Sequence, residues 1–137
     1  MLNCGPAALK IVLDYYNRSY SEKRLVALLG TNQKGTEPQA FLKVAKHLGF
    51  KAKSRENMTV VLVKRLIKQG LPVIANHTTP DPTGGHYAVI IGFSQDEFVL
   101  SDPAEDSGYI IKKINYFMDN WYEEEDKTVR QGITIGL

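Results

Sequence analysis

The feature that most constrains this chain is a change of hydrophobic period near its midpoint. From Pro6 to Gly70 apolar residues recur at helical spacing; from Pro72 onward they fall in short, β-rich runs. Pro6 fits a first helical turn, and Ala7, Ala8, Leu9, Ile11, Val12, Tyr15 and Tyr16 extend an apolar stripe behind it. A second helix is predicted over Glu22 to Leu29, with Ser21 or Ser19 as cap and Gly30 as stop. A third starts near Pro38 and runs through Phe41, Leu42, Ala45 and Leu48 to Gly49. Thr59 caps a fourth, Val60 to Gln69, which Gly70 and Pro72 terminate. Pro72 to Ala75 then forms a short strand, and His86 to Phe93 (HYAVIIGF) reads as a buried central one. The polar turn Ser94 to Asp96 leads to a hairpin partner, Glu97 to Leu100. Tyr109 to Ile114 and Gly132 to Ile135 are further strands, and Trp121 falls in a short helical segment, Tyr116 to Tyr122. The order predicts an α+β fold, an N-terminal helical half packed on one C-terminal antiparallel sheet.

At 137 residues, without repeat, linker or low-complexity segment, the whole of residues 1–137 reads as a single domain. A net charge of +2 is too small to indicate a nucleic-acid partner. Lys64, Arg65 and Lys68 read as the wet face of a helix. No apolar run approaches the roughly 20 residues of a membrane span. With one cysteine there is neither an internal disulfide nor a cysteine-based zinc site. Cys4 is therefore either a small buried hydrophobe or a reactive thiol.

Three residues can carry chemistry, and each also has a plain structural reading. Cys4 precedes Gly5-Pro6 and a helix, where the free N–H groups and dipole of the helix start favour thiolate over thiol. Gly5 leaves room for a substrate carbonyl to approach the backbone. Buried packing against the helix is the alternative for the cysteine. His86 opens its strand after Gly84-Gly85, a placement suited to a general base, although histidines before apolar strands are often structural. Asp102 leaves the partner strand near the point where His86 enters its own, where a carboxylate can accept the imidazole N–H. Its alternative is an Asp-Pro turn. Together they make the constellation expected for acyl transfer. The polar loop Asn76 to Gly85 is expected to overhang the cleft, with Gly84 and Gly85 admitting a substrate backbone.

The stretches NCGPAALKIVLDYY, GGHYAVIIGF and LSDPA resemble the C39 and C39-like cysteine peptidases of the papain-like fold. The likeness covers nearly the whole chain, with 82 positions from Cys4 to His86 and 16 from His86 to Asp102. Phe117 and Trp121 echo a family pattern after the last of these positions. The resemblance implies Cys4 as nucleophile, His86 as base and acid, and Asp102 as orienting group, acting on a peptide or protein through an acyl-enzyme. Members process bacteriocin and peptide-pheromone leaders or stand alone as hydrolases; the motifs here look closer to the stand-alone branch. A fused transporter or other domain remains compatible, and the cytoplasm or the cytoplasmic face of a membrane is favoured over secretion.

The family usually carries a glutamine six positions before the cysteine, donating to the oxyanion. The sequence opens three residues before Cys4. The expectation is therefore a domain that continues upstream, or a weak catalyst as it stands, since losing one such donor can cost about 10²–10³ in turnover. The rival functions are a peptide-binding module without catalysis and a thiol amidase or acyltransferase on a non-peptide substrate. No cofactor and no metal is expected. A site built from His77, Asp81 and His86 lacks recognisable ligand spacing, and His47 belongs to the end of the third helix.

Overall fold

Local cap chemistry fixes the helical half. In the computed structural model, which describes residues 4–32, 35–78, 85–102, 108–123 and 127–137, α1 is Cys4–Tyr15 and α2 is Glu22–Leu29. The Ser21 hydroxyl accepts from the Arg24 N–H at the start of α2, and Gly30 ends it at φ 66°, the left-handed region glycine occupies freely. Pro38 opens α3 (Pro38–His47), and Thr59 caps α4 (Val60–Lys68) by accepting from the Leu62 N–H.

The strands are β1 (Lys51–Arg55), β2 (Val73–Thr78), β3 (Gly85–Phe93), β4 (Glu97–Ser101), β5 (Tyr109–Lys113) and, after α5 (Ile114–Asp119), β6 (Tyr122–Glu123), β7 (Thr128–Val129) and β8 (Gln131–Gly136). Six form one antiparallel sheet in the order β1-β8-β2-β3-β4-β5, while β6 and β7 pair separately. The expected hairpin is present: Phe93 pairs with Phe98, Ile90 with Leu100 and Val89 with Ser101, with a bulge at Ile91.

Alternation along the strands gives the sheet two buried faces. Ile74, Tyr87, Val89, Ile133 and Ile135 pack with α1, α2 and α3; Val73, Ala75, Ala88, Ile90, Phe98 and Leu100 pack with α4 and α5. Helices thus cover both faces rather than one. Three boundaries also differ from expectation. β2 runs on through His77; Ile114 begins a helix rather than ending a strand; and Trp121 lies just past α5, its indole N–H donating 2.9 Å to the Gln131 carbonyl. The Lys64-Arg65-Lys68 face is half-buried to exposed, as expected, with Lys64 reaching the Gln95 carbonyl.

Gly132 marks where β8 meets the core most tightly. A methyl group there collides with Met58 Sδ and stands 2.7 Å from Val73 Cγ1, inside a fully packed interior. Gly132→Ala should therefore lower unfolding stability by about 1–3 kcal/mol in a denaturant titration. A stability equal to that of the parent would mean that β8 shifts without cost.

Candidate active site

Three elements converge on one end of the sheet. Cys4 is the first residue of α1, His86 the second residue of β3, and Asp102 follows the last residue of β4. Asp102 continues the alternation of Phe98 and Leu100, which on β3 is the face of Ile90, Ala88 and His86. The imidazole Nε2 lies 2.5 Å from Asp102 Oδ1, with both side chains largely withdrawn from solvent. The same ring hydrogen-bonds the Cys4 side chain, and since Nε2 is taken by Asp102, Nδ1 is the atom left for sulfur. The Tyr87 backbone N–H also donates to Cys4.

The electrostatics of the pair run in opposite directions. Burial alone raises the Cys4 pKa, but the hydrogen bonds from His86 and from the Tyr87 backbone, with the His86 charge, outweigh it and hold the thiol below its usual value. Burial likewise works against charge on His86, yet Asp102 and Cys4 together raise its pKa to about 9. Between the depressed thiol and the raised imidazole the favoured form is a thiolate facing an imidazolium. Such a pair combines a nucleophile with a proton donor, and its titration belongs to both groups together.

His77 belongs to this site more closely than its loop-side position in the sequence indicates. It pairs directly across β2–β3 with His86, the two rings are edge to face at 5.5 Å, and its ring also meets that of Phe117 at 5.3 Å. Only the strand register reveals this. One donor atom each from His77, His86 and Asp102 lie within 4.8 Å of one another, a set that could approach a metal ion. Two ligands of one zinc stand about 3.3 Å apart, given bonds of about 2.0 Å in a tetrahedron. The 2.5 Å His86–Asp102 separation is shorter than that and is the distance of a close, charge-assisted hydrogen bond.

Gly5 is buried, and a methyl group there collides with Thr36 Oγ1, so packing within the chain already requires glycine. Gly85 pairs with Thr78 at the start of β3. Gly84, Asp81 and most of the loop expected to overhang the cleft (79–84) lie outside the described residues. His47 is exposed at the end of α3.

Helices packed on both faces of an antiparallel sheet, with a thiol at a helix start facing an imidazole and a carboxylate at one end of that sheet, make a papain-like α+β fold. Residues 2–124 match the Peptidase C39 family, and the chain belongs to that family. It is 32% identical over 102 residues to the pediocin PA-1 transport/processing ATP-binding protein PedD of Pediococcus acidilactici. It is 31% identical over 119 residues to the lactococcin-G-processing and transport ATP-binding protein LagD of Lactococcus lactis subsp. lactis. These alignments take in 74% and 87% of the chain but only 14% and 16% of those proteins. In fold it is similar to the peptidase domain of Streptococcus ComA, with TM-score 0.76, 21% identity and coverage of 98% and 91% of the two chains. It is also similar to a C39-like peptidase of Bacillus anthracis, described as putative, with TM-score 0.80, 15% identity and coverage of 99% and 89%. Both transporter-borne and C39-like relatives therefore share this architecture. Among the described residues no helix is long and apolar enough to cross a membrane.

Proposed function

We propose that the chain is a cysteine peptidase in which Cys4, His86 and Asp102 form the catalytic triad. The observation that carries this reading is the His86 ring, held between the Cys4 side chain on one nitrogen and Asp102 on the other. The Cys4 thiolate attacks the scissile carbonyl carbon, and the developing oxyanion draws on the Cys4 backbone N–H at the helix start. The C–N bond breaks as His86 gives its Nδ1 proton to the leaving amine, leaving a thioester on Cys4. His86 then takes a proton from water, which attacks the thioester and releases the acid and the thiol. Gly84 and Gly85 are assigned to the walls along which the substrate backbone runs, whereas Gly5, buried beneath Thr36, is assigned no substrate contact.

The substrate is proposed to be a leader-bearing peptide cut after a pair of glycines. This rests on the fold's similarity to a double glycine motif protease of an AMS/PCAT transporter, solved with its leader peptide (TM-score 0.73, 24% identity). A peptide panel that includes such a leader, followed by acid quench and intact-mass analysis, tests the reading. Cleavage with an acyl adduct on Cys4 is the expected result. Binding with no cleavage and an unmodified thiol would instead indicate a peptide-binding module, and cleavage confined to non-peptide amides or acyl donors an amidase or acyltransferase.

The pH dependence follows from the two shifts. Thiolate is lost as pH falls through the depressed Cys4 value, and imidazolium is lost as pH rises through about 9. Peptide turnover should be bell-shaped with its alkaline limb near 9, because His86 must still hold a proton for the amine. Iodoacetamide alkylation of Cys4 needs only the thiolate, so it should show the acid limb and no alkaline decline. An alkylation rate that rises only near the free-thiol value of about 8.5 would remove the basis for an activated cysteine.

A further inference from the structure

The loop between α2 and α3 reaches the residue that follows each of the two reacting groups. Asn32 and Gly35 bond to each other, N–H to carbonyl in both directions at 3.2 and 2.9 Å. Thr36 follows, 8% exposed, with its hydroxyl 2.6 Å from that of Thr31. Its side chain lies directly on the Cα of Gly5: a methyl group added to Gly5 would collide with Thr36 Oγ1 and stand 2.6 Å from Thr36 Cβ. Its carbonyl accepts the buried Tyr87 hydroxyl at 2.9 Å. Gly5 is the neighbour of Cys4 on α1, and Tyr87 the neighbour of His86 on β3.

We infer that Thr36 is a positioning residue that sets the distance between Cys4 and His86, gripping Gly5 on one side and Tyr87 on the other. α1 and β3 belong to different layers, and Thr36 contacts both at the end that carries Cys4 and His86. Phe41 packs edge to face on the Tyr87 ring at 4.9 Å, which fixes the ring but not its height along the strand. The bond from the Tyr87 hydroxyl to the Thr36 carbonyl fixes that height. The same tyrosine contributes the backbone N–H that donates to the Cys4 sulfur, so a shift of Tyr87 moves a thiolate donor and the imidazole together. The need for glycine at position 5 has the same origin, because only a bare Cα lets Thr36 sit this close. Thr36 touches neither sulfur nor ring in this scheme and acts wholly through its two partners.

The inference deepens the reading of Cys4 and His86 proposed above, and alkylation separates the two because it reads the thiol without any peptide. In the full chain, Tyr87→Phe removes the tether alone and should lower kcat about tenfold at unchanged KM. Thr36→Gly removes the grip on Gly5 and should lower kcat about 10²-fold, the scale of a misplacement of about 1 Å. In both variants the acid limb of Cys4 alkylation should move up toward the free-thiol value of about 8.5. Thr36→Ser keeps Cβ and Oγ against Gly5 and should restore both readouts. Denaturant unfolding shows whether the variants are folded under assay conditions. Folded Tyr87→Phe and Thr36→Gly proteins with the parental alkylation profile and kcat would overturn the inference. So would losses that track the unfolded fraction alone. If the parent alkylates as an activated thiol but cleaves no peptide, the peptidase reading fails while the alkylation limbs of the variants still decide the role of Thr36.

Discussion

Cys4→Ala should abolish peptide cleavage, a loss on the order of 10⁶-fold, the scale seen when the nucleophile of a triad hydrolase is removed. The reason is that no other group at this site can form the covalent bond. Cys4 is the sole thiol of the sequence, and its immediate neighbours are the ring of His86 and the backbone of Tyr87. Cys4→Ser is the more discriminating change. It preserves shape and hydrogen bonding, but a hydroxyl is far harder to ionise than a thiol. A site that works by holding a preformed thiolate against imidazolium cannot ionise the serine to a comparable degree. Both variants should therefore be inactive while still binding peptide with affinity close to that of the parent, which isothermal titration can read. Retention of more than about one percent of turnover by Cys4→Ala would place the nucleophile elsewhere.

The parts of the fold that were legible in the sequence are those decided by local chemistry. Ser21, Thr59, Pro38 and Gly30 each act within a turn of their own position, so helix starts and stops could be read directly. The β3–β4 hairpin was legible for the same reason, since its turn and both apolar runs are contiguous. β1 was not. Its residues KAKSR carry no apolar alternation, and they form a strand because β8, 80 or so residues on, offers a row of backbone groups along their length. The sequence around Trp121 reads as helical, whereas the Gln131 carbonyl holds its indole beyond the helix end. At the site, Cys4, His86 and Asp102 announced themselves by residue type beside a helix start and a hairpin. His77 could be placed only once the register of β2 against β3 was known. Thr36 has no chemical signature at all; its importance lies in contacts with two residues distant in sequence.

Asp102→Asn should leave the fold intact and lower turnover by about 10⁴-fold, the loss seen for the equivalent change in a serine-protease triad. The size follows from how the carboxylate is used. Asp102 Oδ1 sits 2.5 Å from His86 Nε2, so it accepts the Nε2 proton and leaves Nδ1 to face Cys4. After the opposing effect of burial, this hydrogen bond is the first of the interactions that raise the His86 pKa to about 9. An asparagine that turns its amide nitrogen toward Nε2 donates where the carboxylate accepted. The neutral ring must then carry its proton on Nδ1, and it can no longer take one from the thiol. If asparagine turns its oxygen instead, the tautomer survives but the negative charge is gone. In either orientation the imidazolium loses its largest support, so the alkaline limb of turnover should move below about 9. Cys4, deprived of a cationic neighbour over the same range, should alkylate more slowly at neutral pH, with its acid limb displaced upward. The paired displacement distinguishes loss of orientation from loss of fold, since a destabilised protein would expose the thiol and alkylate faster. An Asp102→Asn protein with the parental pH profile and full turnover would remove Asp102 from the triad, and would leave His86 to be oriented by its other neighbour across the strand, His77.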